Sequence, residues 1–396
     1  MAGLRNCLVC GATGYSKVIS VLNAPKLHVI SADTRLDSGL FGTINLVQCD
    51  QCGHIFNGHQ SDGEIESSHD LFLTNTPISE SMISRHEQTV DFLTSKADTK
   101  LRVLDVGAGS GALAAAFARR GHRVTVVEPS SMIDERTLSD FGVNVVKDFW
   151  PAVSLEGQKF DLILCVQVLE HIADPCTFLS SLSTSLDDDG AIYLEVPSGD
   201  WVVKHASLTD IHYPHLNYFL IEVINSIFQK LLLVPNAIRN LLNGRDLGFV
   251  LRKTKSKLSN TDSKFKTDHL SVSLATNIRN AEARIFDLIA GKKFAIYGAS
   301  AGSQAFFGFF PQIKPEFLFD DTPSYGGAFG YSPGARFEIV KPTAQNLSRV
   351  QSVVIAAYIH DKAIAEKIRA MGFAGDIYSL RPASDLSGTI QSLFAQ

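Results

Sequence analysis

The chain of 396 residues has no apolar stretch long enough to cross a bilayer, because its hydrophobic runs are broken by charges well short of a span. The opening "MAGLRNCLVCGATG" has no apolar run resembling a signal peptide, so a cytoplasmic protein is expected. Positive charge is not in excess. Against 41 Asp+Glu stand 36 Lys+Arg, a net charge of −5 that supplies no global field toward nucleic acid or an anionic membrane. Small-molecule partners are favoured instead. There is no internal repeat, low-complexity tract or sustained heptad, and a monomer or weak homo-oligomer is expected. Cysteine is scarce, at six residues, and in a reducing compartment its spacing is read as metal chemistry before disulfide chemistry. Hydrophobic residues, at 45%, are plentiful enough to fill the cores of two or three domains.

Three blocks separate by pattern. Residues 1–70 are rich in Gly, Asp, Ser and His, lack long periodic segments and are too few for much of a core. Residues 71–254 alternate strands such as "LRVLDV", "RVTVVE", "FDLILCV" and "AIYLEV" with helical stretches such as "GALAAAFARRG", the βαβ signature of a parallel sheet. The Lys-rich "KTKSKLSNTDSKFKTD" has no apolar face and reads as a linker. Residues 255–396 resume the alternation with "KFAIYGAS", "EFLFDD", "SVVIAAY" and the helix "KAIAEKIRAMG". The expected class is α/β: a small N-terminal metal-binding domain, a Rossmann-like central domain and a smaller Rossmann-like C-terminal domain.

Cys7 and Cys10, then Cys49 and Cys52, form two C-x-x-C pairs. Each pair offers two thiolates to one ion, and two such knuckles complete a tetrahedral Zn²⁺ site of the closed, structural kind. His54 is a possible substitute ligand, although Cys52 fits the repeat better. A nucleic-acid-binding ribbon is the rival use, and the scattered basic residues without aromatic interleaving argue against it.

"VLDVGAGSGALAAAF" is a strand, a glycine turn and a helix, with Asp105 just before Gly107-Ala108-Gly109. Dinucleotide enzymes share such turns. A carboxylate at the mouth of the loop would repel a pyrophosphate but suits the ammonium of S-adenosylmethionine. Glu128, followed by Pro129, ends the next strand, where it can accept hydrogen bonds from two ribose hydroxyls. Asp148, after the third strand, either reaches the adenine or is a solvated turn residue. Gln167 to His171 lie where the fourth strand opens into its loop, on the ligand-binding edge of the sheet. This pattern matches class I methyltransferases. His171 either caps this loop or takes part in the site.

Past the fifth strand lies "HYPHLNYF", with two histidines and two tyrosines in eight residues. A histidine on the edge where a sulfonium methyl would sit is a candidate general base, and a tyrosine beside it could hydrogen-bond an oxygen that becomes negative. His215 is the stronger candidate and His212 the weaker. Tyr218 is a candidate for substrate contact, and with Phe219 it begins to pack the helix that follows.

The chain as a whole resembles the sugar C-methyltransferases, such as the C-3 methyltransferase of mycarose biosynthesis. The four cysteines, the "LDVGAGSG" loop and the His-x-x-Tyr-Phe of "HLNYF" carry the likeness, joined in the third block by "YGASAGSQAFF", "FLFDDTP" and "SPGARFEIVKP". The resemblance implies a nucleotide-linked 4-keto-6-deoxysugar as substrate, with dTDP or GDP as the nucleotide. His215 would remove the proton at C-3, Tyr213 would polarise the ketone, and the enolate carbon would take the methyl. It also implies acceptor contacts from "LFLTNTPISESMISRH", with Ser79, Glu80 and His86 as candidates, while Ser300 and Ser303 are candidates for holding an anion at a helix start. Pro214 replaces the family's glutamate, and Ala301 stands where relatives commonly carry lysine. An O- or N-methyltransferase on another polar metabolite, or a cofactor-binding protein without catalysis, are the alternatives.

Overall fold

The computed structural model describes the residues from 4 to 392, leaving out 28, 60–79, 96, 98, 132, 152–154, 206, 256–269, 290 and 382–389. The expected boundary at 70, most of the linker and Ser79 lie outside the described residues. Among those described, no helix is long and apolar enough to cross a membrane.

Three sheets organise the described residues. The first is antiparallel, in the order β1 (Tyr15–Pro25), β2 (Phe41–Cys49), β3 (Ile55–Asn57) and β9 (Asn217–Tyr218). The N-terminal block is therefore not self-contained, since its fourth strand comes from the histidine segment.

The second sheet is built from α1 (Glu80–Thr94), β4 (Arg102–Val106), α2 (Ala112–Arg119), β5 (Arg123–Val127), α3 (Glu135–Asp140), β6 (Asn144–Val146), β7 (Phe160–Val166), α4 (Pro175–Ser185), β8 (Leu186–Pro197), α5 (Gly199–His205), α6 (Ile221–Lys230), β10 (Leu233–Leu241) and β11 (Asp246–Lys253). Its strand order is β10-β11-β8-β7-β4-β5-β6, parallel except for the antiparallel β10 and β11 at one edge. This is a Rossmann-like fold with an antiparallel hairpin at one edge. β7 and β8 are buried on both faces along most of their length, which is why "LILCV" and "AIYLEV" read as continuous apolar runs. Between β8 and "HYPHLNYF" the chain inserts α5 and a turn at Leu208–Asp210, an interruption that the sequence reading passed over. α4 starts where Asp174 accepts from the Thr177 N–H at 2.9 Å and Pro175 fills the first turn.

The third sheet follows α7 (Leu270–Ile289) and comprises β12 (Phe294–Tyr297), α8 (Ala301–Phe309), β13 (Phe317–Phe319), β14 (Phe329–Ser332), β15 (Ala335–Val340), α9 (Ala344–Leu347), β16 (Ser352–Ile355), α10 (Asp361–Ala370), β17 (Asp376–Ser379) and β18 (Gln391–Ser392). Its order is β14-β15-β13-β12-β16-β17-β18, with only the β14–β15 pair antiparallel. It packs on the first sheet, where Gln304 Nε2 donates to the Pro25 carbonyl at 2.8 Å and the Tyr331 hydroxyl accepts from Leu27 N–H at 2.9 Å.

The first two sheets meet at Asn217. His54, fully buried between the rings of Phe56 and Phe219, donates through Nε2 to Asn217 Oδ1 at 2.9 Å. The amide of Asn217 in turn donates to the Ile172 carbonyl at 2.7 Å. Asn217→Ala would leave a buried imidazole N–H and a carbonyl without partners, at about 1–3 kcal/mol each. A destabilisation of about 2–4 kcal/mol is expected, read as a lower urea midpoint by tryptophan fluorescence. An unchanged midpoint would mean that water satisfies both groups.

Candidate active site and cysteine cluster

Parallel strands deliver their C-terminal ends to one edge, and the order reverses between β4 and β7, which opens a crevice there. The glycine loop after β4 forms one wall. Gly107, Gly109 and Gly111 all have positive φ, and a Cβ at Gly107 would stand 2.5 Å from the Val168 side chain, so only glycine brings the loop this close to the turn after β7. Asp105 lies on β4 at 2% exposure with Oδ2 unpartnered among the described residues. Burial, then the nearby Glu128, pushes its carboxyl up to about 7. Glu128 accepts from the Gly109 N–H at 2.8 Å and from the Ser130 N–H at 2.9 Å, so it braces the loop as well as ending β5. Pro129 separates Glu128 from Ser130.

The opposite wall is the turn after β7. Gln167 sits at φ 57, a left-handed conformation uncommon for a residue with a Cβ, and its amide points at Glu195 Oε1 at 3.4 Å. His171 Nδ1 lies 2.9 Å from the Pro214 carbonyl, which ties this turn to the histidine segment. The His171 and His215 rings are 5.0 Å apart, and those of His215 and His212 are 3.8 Å apart. His215 is buried, and desolvation together with the neighbouring histidines holds its pKa well below the usual value, so it is neutral. Burial pushes the adjacent Glu170 carboxyl far above the carboxylate range.

Other expected residues fall elsewhere. The Tyr213 ring lies against Gly42, where an added Cβ would come within 1.9 Å, and under the Lys26 ammonium at 5.3 Å. The tyrosine that faces His215 is Tyr218, at 6.1 Å between rings, with a buried hydroxyl that has no partner among the described residues. Asp148 is exposed and accepts from the Phe149 N–H at 2.8 Å, the solvated-turn reading. Glu80 begins α1, and His86 is half-buried on the same helix. It is Arg85 that reaches the sheet edge, pairing with Glu195 and, at 3.0 Å, with Asp246. Ser303 is committed to its own helix, accepting from Ser300 N–H at 3.0 Å and donating to Ser300 O at 2.9 Å, so its hydroxyl is not offered to an anion. Ser300 and Ser303 form a capping box at the start of α8.

Several groups at this edge escaped the sequence reading. Arg245 holds Asp210 at 2.7 Å and lies over the ring of Tyr358, which follows β16, so the third sheet reaches the histidine segment. Beside Arg245 a cleft of about 550 Å³ opens between α5 and the β10–β11 hairpin, with Trp201, Lys204, His205 and Asn240 among its lining. Charged residues beside the apolar strand in "GRDLGFV" and on the helix in "ISRH" were the available signal.

In the N-terminal block the sulfurs of Cys7, Cys10, Cys49 and Cys52 lie within 4.8 Å of one another, with Cys7–Cys52 and Cys10–Cys49 both at 3.6 Å. Tetrahedral thiolates at 2.3 Å from a zinc ion lie about 3.8 Å apart, so the four residues fit that ion. Four thiols in contact cannot all ionise without a cation: a hydrogen bond from Cys52 pulls Cys7 down to about 4, while Cys52 is pushed up in return. His54 is not among the residues whose donor atoms converge here, and its Nε2 is engaged with Asn217.

Residues 79–245 match the family model for a methyltransferase domain. The ubiquinone biosynthesis O-methyltransferase of Actinobacillus pleuropneumoniae serotype 5b is 34% identical over 116 residues, 26% of this chain and 50% of that protein. The mitochondrial ubiquinone biosynthesis O-methyltransferase of Arabidopsis thaliana is 29% identical over 150 residues, 34% of this chain and 44% of that protein. The chain thus spans about half the length of the curated relatives it matches. Among solved structures, 1,6-didemethyltoxoflavin-N1-methyltransferase of Burkholderia thailandensis, with S-adenosylhomocysteine bound, is 18% identical at a TM-score of 0.39, covering 56% of this chain and 98% of that one. The central unit is a class I S-adenosylmethionine-dependent methyltransferase domain. Asp105, with its unpartnered buried oxygen, and the close-set glycine loop fit that cofactor.

An ammonium placed beside Asp105 would favour its ionised form, so that cofactor binding below pH 7 would release a proton from this carboxyl. Calorimetry should find affinity rising with pH by up to about tenfold per unit below 7 and levelling above it, with Asp105→Asn flattening the profile. A flat profile in the parent protein would remove Asp105 from the ammonium site. Metal analysis of the purified chain should find about one zinc per molecule, lost in Cys49→Ser.

Proposed function

We propose that the protein transfers the methyl group of S-adenosylmethionine to a small polar acceptor, and that the acceptor loses its proton at the histidine cluster. The observation that carries this reading is the meeting, at one sheet edge, of an acid-lined glycine loop with His171 and His215. When bound, the cofactor supplies an electrophilic methyl group. Asp105 and Glu128 would hold its ammonium and ribose, and the turn from Gln167 to His171 would close over it. His215 is kept neutral by burial and so presents a lone pair, not a proton, to the acceptor. Tyr218 is the tyrosine available to an oxygen that gains negative charge.

The acceptor we favour from the whole-chain resemblance is a nucleotide-linked 4-keto-6-deoxysugar, methylated at C-3 through an enolate. The third sheet supports it by bringing Tyr358 to Arg245 beside the same edge, a role that a simple methyltransferase domain does not need. Methylation of oxygen is the second reading, and the curated relatives over the central domain, both named as O-methyltransferases, favour it. In either case the four cysteines would hold a structural zinc ion that fixes the first sheet.

One experiment separates the two. The protein is incubated in D₂O with dTDP- and GDP-linked 4-keto-6-deoxysugars, with and without S-adenosylmethionine, and the products are examined by NMR and mass spectrometry. Deuterium entering at C-3 without the cofactor, and a C-methyl product with it, is the expected result. His215→Ala should slow both by about 10²–10⁴-fold while cofactor affinity changes little. Methyl transfer to a hydroxyl without exchange at carbon would establish the second reading, and neither signal would overturn the sugar acceptor.

A further inference from the structure

The cleft of about 550 Å³ between α5 and the β10–β11 hairpin is large enough for a small molecule. One wall is a single face of α5, on which Trp201, Lys204 and His205 follow at helical spacing. The other wall is β10, where Ile238 and Asn240 alternate onto the same side of the strand. Both walls are tied to the edge that carries the histidines. Ser198 N–H, just before α5, donates to the Arg245 carbonyl at 2.8 Å, and Gly199 lies so close to the histidine segment that an added Cβ would stand 2.8 Å from the Tyr218 carbonyl oxygen.

We propose that this cleft holds a nucleoside diphosphate, the end of the acceptor remote from the methyl group, with its base against Trp201 and Ile238 and its phosphates at Lys204. The identity of the occupant rests on the nucleotide-sugar reading above. An indole on one wall and an aliphatic side chain on the other, Ile238 being 52% exposed, offer a flat ring an apolar slot. The Asn240 amide carries both a donor and an acceptor, as the edge of a nucleobase does. Arg85 and Arg245 are committed to buried acids, whereas Lys204 has no ion pair among the described residues and presents a point charge to a phosphate. Asp200, the acid in the lining, accepts from the Ile221 N–H at 2.7 Å and is occupied in starting α6. The position also suits the charge of the ligand. Asp105 lies on β4, and the cleft lies toward β10 and β11 at the far side of β8, so the anionic half of the acceptor is kept away from the acids of the cofactor loop. The rival explanation is that Lys204 and His205, in the last turn of α5, only offset the helix dipole.

The test titrates dTDP and GDP into the full chain, with thymidine and guanosine as uncharged counterparts, and follows calorimetry and tryptophan emission. One diphosphate is expected to quench emission and to bind at least about tenfold more tightly than its nucleoside. Trp201→Leu should weaken that diphosphate by about tenfold or more, and Lys204→Gln should bring it down toward the nucleoside without changing the nucleoside. Unchanged affinity for S-adenosylmethionine shows that each variant is folded. Failure of both diphosphates to bind, or binding that neither variant alters, would overturn the proposal in favour of the dipole role. Methyl transfer to a nucleotide-linked sugar with the same KM in both variants would also overturn it, and would leave the proposed function standing. Variant-sensitive diphosphate binding in a chain that methylates no nucleotide-linked sugar would overturn the sugar acceptor and leave the nucleotide site standing.

Discussion

The pairing of β9 with β3, locked by the hydrogen bond from His54 to Asn217, is the constraint from which the rest of the architecture follows. It makes one rigid piece of the cysteine-bearing sheet, the turn after β7 and the histidine segment. Leu216 N–H donates to the Glu170 carbonyl at 2.8 Å, and Asn57 N–H donates to the Leu216 carbonyl at 2.8 Å, so the backbone repeats what the side chains do. A metal ion among the four sulfurs would therefore stiffen the opposite end of the same piece that carries His171 and His215.

The second theme is charge. Asp105, Glu128, Glu170, Glu195, Asp210 and Asp246 are all buried, and most sit where the strands of the second sheet end. Arg85 answers Glu195 and Asp246, and Arg245 answers Asp210. Asp105 and Glu170 are left without such counter-ions, and burial raises the pKa of both. An edge built this way has excess acceptor capacity held in a low dielectric, which favours cationic ligands over phosphates. The sequence argument expected a cationic ligand at this edge, although it attended to two of these carboxylates, Asp105 and Glu128.

Features that depend on local pattern were legible in the sequence: the two C-x-x-C pairs, the glycine turn with its acid, and strands whose apolar runs reflect burial on both faces. Features that depend on which way a loop side chain turns were not. Tyr213 and Tyr218 lie on either side of His215 in the sequence, yet one packs beneath Lys26 against Gly42 and the other faces the imidazole. Ser303 reads as a free hydroxyl at a helix start, and local hydrogen bonding consumes it. β9 has two residues, too short for any periodicity, so the dependence of the first sheet on the second unit could not be read in advance. Glu170 lies within the stretch from Gln167 to His171 and has no role in the sequence reading, because nothing in a linear pattern reports that a carboxylate will be buried.

That two-residue strand also governs the order in which the chain can become native during synthesis. Asn217 leaves the ribosome 163 residues after His54, so the first sheet must wait for its last strand. At about 5–20 residues per second the delay is on the order of ten to thirty seconds. Through that interval the edge of β3 is unpaired and the cysteine thiols have no finished sheet around them, which exposes them to oxidation and to capture by other strands. Early metal capture by the two C-x-x-C pairs would protect the nascent chain, giving the cysteines a part in biogenesis before they have one in the finished protein.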